Sequence, residues 1–147
     1  MKIASKPYGL IEVDERQMLT FPHGLLGFED HKDYVLMDAE RQPFYWLQST
    51  ELESLAFILI NPFVFRADYE VNLDDEEFQE IGIDDPQQAL IFSIVTIPPA
   101  GGLVTANLQG PLIINRETRI GKQVILQDSR WNIRHDIIAE MQAQGVT

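Results

Sequence analysis

The chain has 147 residues, of which 45% are hydrophobic and 23% charged, and this composition suits one domain with its own core. It contains no cysteine, which excludes disulfides, thiolate metal sites and cysteine nucleophiles. The net charge of −12 argues against direct binding to a nucleic acid. No apolar run reaches the ~18 residues of a membrane span, and the start lacks a signal-peptide core, so a cytoplasmic location is expected.

Short strand-like runs separated by turn signals fill most of the chain. Residues 8–13 and 16–21, separated by two acidic residues, predict a β-hairpin. Further strands are predicted at 33–38, 44–49, 55–60, 89–97, 103–108, 111–115 and 122–127. The run at 55–60 is apolar throughout and that at 89–97 is apolar except for Ser93 and Thr96, which is typical of strands that are buried on both faces. So many short strands predict a β-barrel or a β-sandwich.

Two short helices are predicted besides the strands. Asp74 and Glu77 have the spacing of a capping box, and acidic residues fill the first turn, where the helix dipole favours them. Gly82 would end this helix. A second helix is predicted at about 136–143 from its apolar spacing. The expected fold class is therefore mainly β with one or two short helices.

The segment FPHGLLGFED, residues 21–30, contains two glycines in an apolar run. It is not a phosphate-binding loop, because it lacks the G-x-G element and a following lysine, and its two closing carboxylates would repel a phosphate. We instead predict that Gly24 and Gly27 adopt a left-handed or closely packed backbone. The flanking apolar residues are then expected to turn into the core, and they are Phe21, Leu25, Leu26 and Phe28.

No motif for catalysis or metal binding stands out. His23, His31 and His135 lack the spacing of metal ligands, and no serine lies in a G-x-S-x-G elbow. The acidic run 74–77 lacks the alternating oxygens and the glycine of a calcium loop. The aromatic residues 44–46 have no interleaved Lys or Arg and are interpreted as part of a strand rather than a nucleotide-stacking surface. These observations predict a non-enzymatic binding domain without metal or cofactor.

The acidic residues are unevenly distributed. Residues 1–102 carry nineteen acidic and six basic residues, and no Lys or Arg occurs between residues 67 and 115. Such a surface attracts a basic protein, although acidity that serves only solubility is the simpler alternative. The candidate partner-binding residues are Asp68, Glu70, Asp74, Asp75, Glu76, Glu77 and Glu80.

Three longer stretches, taken in order, resemble the flagellar assembly factor FliW family. They are LTFPHGLLGFEDHKDYVLM (19–37), PFYWLQSTELESLAFILINP (43–62) and LVTANLQGPLIINRETRIGKQVIL (103–126). The most specific patterns are F-x-x-G-L-x-G-F-E, L-Q-S and N-L-x-x-P-x-x-I-N. The motif residues expected to define the fold are Phe21, Gly24, Gly27, Phe28, Asn107, Pro111 and Asn115. A single domain is expected over 1–147, with the last ~10 residues as a helical or flexible tail.

The resemblance implies a small, cytoplasmic, barrel-like antiparallel β protein that is a monomer on its own and has no catalytic activity, metal or cofactor. It implies that the protein binds newly made flagellin as a chaperone. When flagellin is exported, the freed protein binds CsrA, an RNA-binding translational regulator, and relieves repression of flagellin translation. Neither nucleic acid nor membrane is implied as a direct partner.

Two other functions are compatible with the sequence. A barrel can hold a small ligand or cofactor and can be an enzyme, in which case the purified protein would show a flavin-like absorbance or turnover. An acidic mimic would bind unrelated basic proteins, and salt would weaken all of these complexes alike. A basic regulator fits the charge distribution more specifically, since an acidic domain docked beside an RNA-binding surface repels RNA.

Overall fold

The structure is a computed structural model that describes residues 1–144. Its strands are β1 (Lys2–Ser5), β2 (Gly9–Glu12), β3 (Met18–Thr20), β4 (Asp33–Asp38), β5 (Phe44–Ser49), β6 (Ala56–Ile60), β7 (Ala89–Thr96), β8 (Thr105–Ala106), β9 (Leu112–Asn115), β10 (Gly121–Gln123) and β11 (His135–Asp136). Its helices are α1 (Asp75–Gln79) and α2 (Ile137–Ala143). The predicted fold class, mainly antiparallel β with one or two short helices, is confirmed. One domain over 1–147 stays a prediction, and its last three residues lie outside the described part.

One antiparallel sheet contains most of the strands, in the order β10-β9-β7-β6-β5-β4-β3. The short strand β8 pairs with β7, and β11 pairs with β8. The two outer strands of the sheet approach each other, since Thr20 and Ile120 form a parallel bridge. The Thr20 amide donates to the Arg119 carbonyl at 3.0 Å. The sheet is therefore curved into a barrel-like form.

Alternation along the strands divides the core between the two faces of this curved sheet. The inner face collects large side chains from every part of the barrel, among them Leu19, Tyr34, Leu47, Leu59, Phe92 and Leu112. On the outer face, the β1–β2 hairpin covers β4 and packs Ile3 against Val35. The helices and the segments 61–73 and 124–135 cover β6, β7 and β9 around the buried Trp131.

The hairpin predicted for 8–13 and 16–21 was wrong. Strand β2 pairs with β1, and β3 pairs with β4. Residues 15–17 form a 3-10 turn that a capping box closes, because the Asp14 side chain accepts from the Arg16 amide and the Gln17 side chain accepts from the Asp14 amide. The acidic pair is therefore a helical cap rather than a hairpin turn.

Helix α1 begins where it was predicted, but its regular part ends at Gln79, three residues before Gly82, and it is not capped as predicted. The Asp74 side chain makes no capping hydrogen bond, and the Asp74 carbonyl accepts from the Glu77 amide at 3.0 Å. The Glu77 side chain binds Lys122 instead. Gly82 has a φ of 75° in the turn that follows the helix, and its amide donates to the Gln79 carbonyl at 2.9 Å. Among residues 1–144, no helix is long and apolar enough to cross a membrane.

Candidate functional site

The seven acidic residues of the predicted partner surface lie in and around α1, where six are exposed and Glu77 is half-buried. Four of them pair with basic side chains: Asp68 with its near neighbour Arg66, Glu70 with Arg130, and Glu77 and Glu80 with Lys122. Residues 67–115 contain no Lys or Arg, but Lys122 and Arg130, which follow later in the sequence, lie beside the acidic residues of this stretch in the fold. Within residues 1–144, Asp74, Asp75 and Glu76 are exposed and form no ion pair, so a partner would not have to displace a basic side chain to bind them.

Lys122 anchors α1 to the sheet. Its ammonium is nearly buried and lies 2.6 Å from Glu77 Oε2 and 2.8 Å from Glu80 Oε2. Burial acts to lower the pKa of Lys122, but the hydrogen bonds to both carboxylates outweigh it and raise that pKa. The hydrogen bond from Lys122, followed by that from His23, lowers the pKa of Glu80. These contacts fix the orientation of α1 and of its exposed first turn.

Arg66 joins the acidic segment to α2. Its guanidinium binds Asp68 through two nitrogens at 2.8 Å each, and these hydrogen bonds lower the pKa of Asp68 to about 2. It also donates to Glu140 of α2 at 2.8 Å. The Arg66 guanidinium stacks on Trp131 at 4.8 Å, and that of Arg130 stacks on the same ring at 4.9 Å. Arg66 therefore fixes helix α2 to the acidic segment.

The glycine segment folds as predicted at its glycines but only partly at its apolar residues. Gly24 has a φ of 67°, and a Cβ there would lie 2.5 Å from the Glu29 Cα. Gly27 has a φ of 86° in a turn that the Phe28 amide closes by donating to the Leu25 carbonyl at 2.7 Å. The left-handed backbone is confirmed at both glycines, and the close approach is confirmed at Gly24 only. Phe21 and Leu25 are buried.

The prediction that Leu26 and Phe28 lie in the core was wrong. Leu26 is 57% exposed and Phe28 is 40% exposed. Leu26 occupies the tip of the turn between the bridged Leu25 and Phe28, and Phe28 packs one ring edge against Phe57 with centroids 5.2 Å apart. The turn geometry, which the sequence pattern does not specify, decides which apolar residues face outward.

The remaining motif residues organise turns beside β9. The Asn107 side-chain oxygen accepts from the amides of Gln109 and Gly110, at 3.0 and 2.8 Å. Asn115 accepts from two turn amides and donates to the Ile81 carbonyl at 2.9 Å, which ties the end of β9 to the segment after α1. Pro111 is buried at the start of β9. These contacts support a fold-defining role for the motif, which stays a prediction.

An apolar groove of about 740 Å³ lies on the outer face of the sheet, and the sequence analysis did not identify it. It is the strip left uncovered between the β1–β2 hairpin and α2. Its floor comes from β5 and β6, and its walls come from the hairpin turn, the 39–43 loop and α2; the main residues are Tyr8, Phe44, Trp46, Ile58, Ile60, Ile97, Ile138 and Met141.

The sequence did contain a signal for this groove. Phe44 and Trp46 on β5 lie opposite Ile60 and Ile58 on β6, so these alternate positions form one continuous apolar face. The inward positions of the same strands are also apolar, which predicts that other parts of the chain cover both faces of the sheet here. Residues 44–46 are strand residues, as predicted, but no other segment fully covers their outer face, which stays open to solvent.

The histidines do not converge on one site. His23 lies 2.8 Å from Glu80, His31 lies 4.0 Å from Glu51, and the buried His135 lies 3.0 Å from Glu140. Nε2 of His135 accepts from the Asn132 amide, which fixes the ring. In the part of the chain that the structure describes, no group of three potential ligands is placed to hold a metal ion. The exposed acidic turn and the open apolar groove described above are suited to binding proteins.

Comparisons with known proteins agree with this assessment. A family model described as FliW protein matches residues 2–137. The chain is similar to the flagellar assembly factor FliW of Treponema denticola, with 47% identity over 145 residues and 99% of each chain covered. It is also similar to that of Treponema pallidum, with 46% identity, 96% of this chain and 94% of the relative covered. A solved structure, the crystal structure of the flagellar assembly factor FliW, superposes with a TM-score of 0.85 at 38% identity and covers 93% of this chain and 96% of that chain.

Proposed function

The chain belongs to the FliW family of flagellar assembly factors, and from this premise we propose that it binds flagellin as a chaperone and, when free, binds the regulator CsrA. The observation that carries the proposal is the presence of two chemically different exposed surfaces, the apolar groove and the acidic first turn of α1. It acts by binding rather than catalysis, in the cytoplasm, where both partners are synthesised.

We assign flagellin to the apolar groove. A secretion subunit that self-assembles through apolar surfaces needs those surfaces covered before export, and an amphipathic helix in an apolar groove is a common way to do this. The groove already has one helix, α2, along its wall, so a second helix would pack beside Ile138 and Met141 on the floor of β5 and β6. The volume of the groove and its exposed isoleucines support this assignment.

The test of this assignment uses a matched pair of isoleucines. Ile138 lines the groove and is 57% exposed, whereas Ile133 is 56% exposed and lies outside it. Ile138→Asp should weaken flagellin binding in titration calorimetry by at least roughly tenfold, because it buries a charge in the complex. Ile133→Asp should bind like the unmodified chain. Equal binding by both variants would contradict the assignment.

We assign the acidic first turn of α1 to CsrA. An RNA-binding regulator carries a basic surface, and the unpaired carboxylates of Asp74, Asp75 and Glu76 attract it over several ångströms and repel RNA after docking. The other four candidates already hold Arg66, Lys122 and Arg130, so they contribute to the acidic surroundings and fix its shape. Relief of translational repression follows from this competition with RNA.

Charge reversal tests the second assignment. Lysines at Asp74, Asp75 and Glu76 should slow association with CsrA by roughly tenfold at low salt and flatten its salt dependence. A control with the same change in net charge carries lysines at Glu15, Asp38 and Glu40, which are exposed elsewhere. Equal slowing in both variants would indicate a non-specific acidic mimic, and no slowing in either would contradict the assignment.

A ligand-binding barrel is less well supported. Its ligand would occupy the barrel interior, and that space is filled by packed side chains such as Phe21, Tyr34 and Phe92. The outer groove is open to solvent along the sheet face rather than enclosed. An absorbance spectrum of the purified protein is the direct check of this alternative.

A further inference from the structure

Two motifs of the sequence analysis are not used by the proposed function, and the first is L-Q-S. Gln48 and Ser49 are fully buried at the end of β5, although both are polar. The Gln48 amide nitrogen donates to the carbonyls of Leu52, Glu53 and Leu55 at 3.1–3.3 Å. The Ser49 hydroxyl oxygen accepts from two amides of the same loop at 3.1 Å each. These side chains therefore fix the loop 50–55 in one conformation.

The second motif, the glycine segment, is fixed just as firmly. Besides the turn at Gly27, the Leu26 amide donates to the Gln123 side chain at 2.9 Å, and the Gly27 amide donates to Glu29 at 3.1 Å. This segment meets the loop 50–55 at one end of the barrel. His31 Nδ1 lies 4.0 Å from Glu51 Oε2, and the Thr50 amide donates to the Asp33 carbonyl at 3.1 Å.

Together the two loops display apolar side chains among acidic ones, and we call this the loop-end surface. Its exposed apolar residues are Leu26, Phe28 and Leu52, and its exposed acidic residues are Glu29, Asp30, Glu51 and Glu53. Neither 21–31 nor 50–55 contains a Lys or Arg. Lys32 borders this surface and donates to the Glu29 carbonyl at 2.6 Å, but the exposed charged side chains of the two loops are acidic. Exposed apolar side chains among acidic ones, on loops with a preset conformation, have the properties of a docking surface.

We propose that the loop-end surface is the apolar centre of the contact with the basic regulator, an inference that rests on the proposed function for the identity of the occupant. The acidic rim complements a basic protein in charge. Charge alone sets the association rate, whereas exposed Leu26 and Leu52 supply the apolar contacts that slow dissociation. The surface adjoins α1, because His23 of the glycine segment lies 2.8 Å from Glu80.

The test separates dissociation from association. The variant combines Leu26→Ser with Leu52→Ser, since both side chains are exposed; Phe28 is left unchanged because it packs on Phe57. The control combines Leu10→Ser with Leu103→Ser, which are 72% and 64% exposed elsewhere. Binding to purified full-length CsrA is measured by biolayer interferometry at two salt concentrations. We expect the variant to dissociate roughly tenfold faster with association within about twofold, and the control to match the unmodified chain.

The outcomes distinguish this inference from the function on which it rests. Unchanged dissociation in the variant, with normal binding by the unmodified chain, overturns the loop-end surface and leaves the proposed function standing. Absence of binding by the unmodified chain overturns both. Hydrogen exchange of the unmodified chain gives an answer that does not depend on the variant folding: the regulator should protect amides in 25–29 and 50–55, and no protection there overturns the inference.

Discussion

Gly24→Ala and Gly27→Ala should differ sharply in their effect on stability, although the glycines lie three residues apart in one loop. Both have a left-handed backbone, with φ of 67° and 86°. That conformation costs an alanine about 1–2 kcal/mol. The difference between them lies in the space around each Cα, and the two substitutions therefore separate backbone strain from steric exclusion.

The surroundings give the expected magnitudes. A Cβ at Gly27 meets no atom within 4 Å, so Gly27→Ala should lower the free energy of unfolding by only the strain, about 1–2 kcal/mol. A Cβ at Gly24 would lie 2.5 Å from the Cα, 2.7 Å from the carbonyl oxygen and 2.8 Å from the carbonyl carbon of Glu29. These backbone atoms cannot rotate away, and the required shift adds about 1–3 kcal/mol.

Urea unfolding followed by tryptophan fluorescence measures both variants, since Trp46 and Trp131 report on different parts of the core. Gly24→Ala should be less stable than Gly27→Ala by about 1–3 kcal/mol, which corresponds to a difference in Tm of roughly 2–12 °C for a chain of this size. Equal losses in the two variants would refute the argument, because the close approach to Glu29 would then contribute nothing.

Three further predictions concern buried or paired polar groups. Lys122→Met should cost about 1–3 kcal/mol in urea unfolding, because Glu77 and Glu80 lose their cation, and adding Glu80→Gln should recover part of it. Gln48→Met should cost about 1–3 kcal/mol, because loop carbonyls lose their donor, and amides in 50–55 should then exchange faster. Asp68, whose pKa is lowered to about 2 by Arg66, stabilises the fold above the unfolded-state pKa near 4, and this contribution is lost as the pH falls towards 2. Arg66→Met should therefore be destabilised relative to the unmodified chain at pH 5, with a smaller gap at pH 2; an equal gap at both would contradict the linkage.

Local patterns predicted the strands well where turn signals bounded them on both sides. Strands were predicted at 33–38 and 44–49, and β4 and β5 have those bounds. Which strands pair was less predictable, because pairing is set by contacts between distant parts of the chain and not by local patterns. The N-terminal hairpin failed for this reason: the acidic pair that suggested a turn caps a 3-10 segment, and β3 pairs forward with β4.

The candidate site was predictable only in part, because it depends on contacts between residues that are distant in the sequence. The acidic run was visible in the sequence, but Lys122 and Arg130 reach it from more than forty residues away. Such partners are set by the fold and not by local spacing. The apolar groove and the loop-end surface depend on which side chains remain uncovered, which is a property of the assembled sheet and its covering segments.

The narrow junction between β3 and β10 has a consequence for how the barrel assembles. Thr20 and Ile120 are a hundred positions apart in the chain. The backbone junction between them consists of one bridge and one hydrogen bond from the Thr20 amide, to which the Leu26 amide adds a hydrogen bond to the Gln123 side chain. Closing so large a loop has a high entropic cost, and the few contacts at the junction offset only a small part of it. The junction should therefore form last during folding and open first in the native state, as a low-energy local unfolding event. The meander β3 to β7, in which each pair is adjacent in sequence, should nucleate the fold.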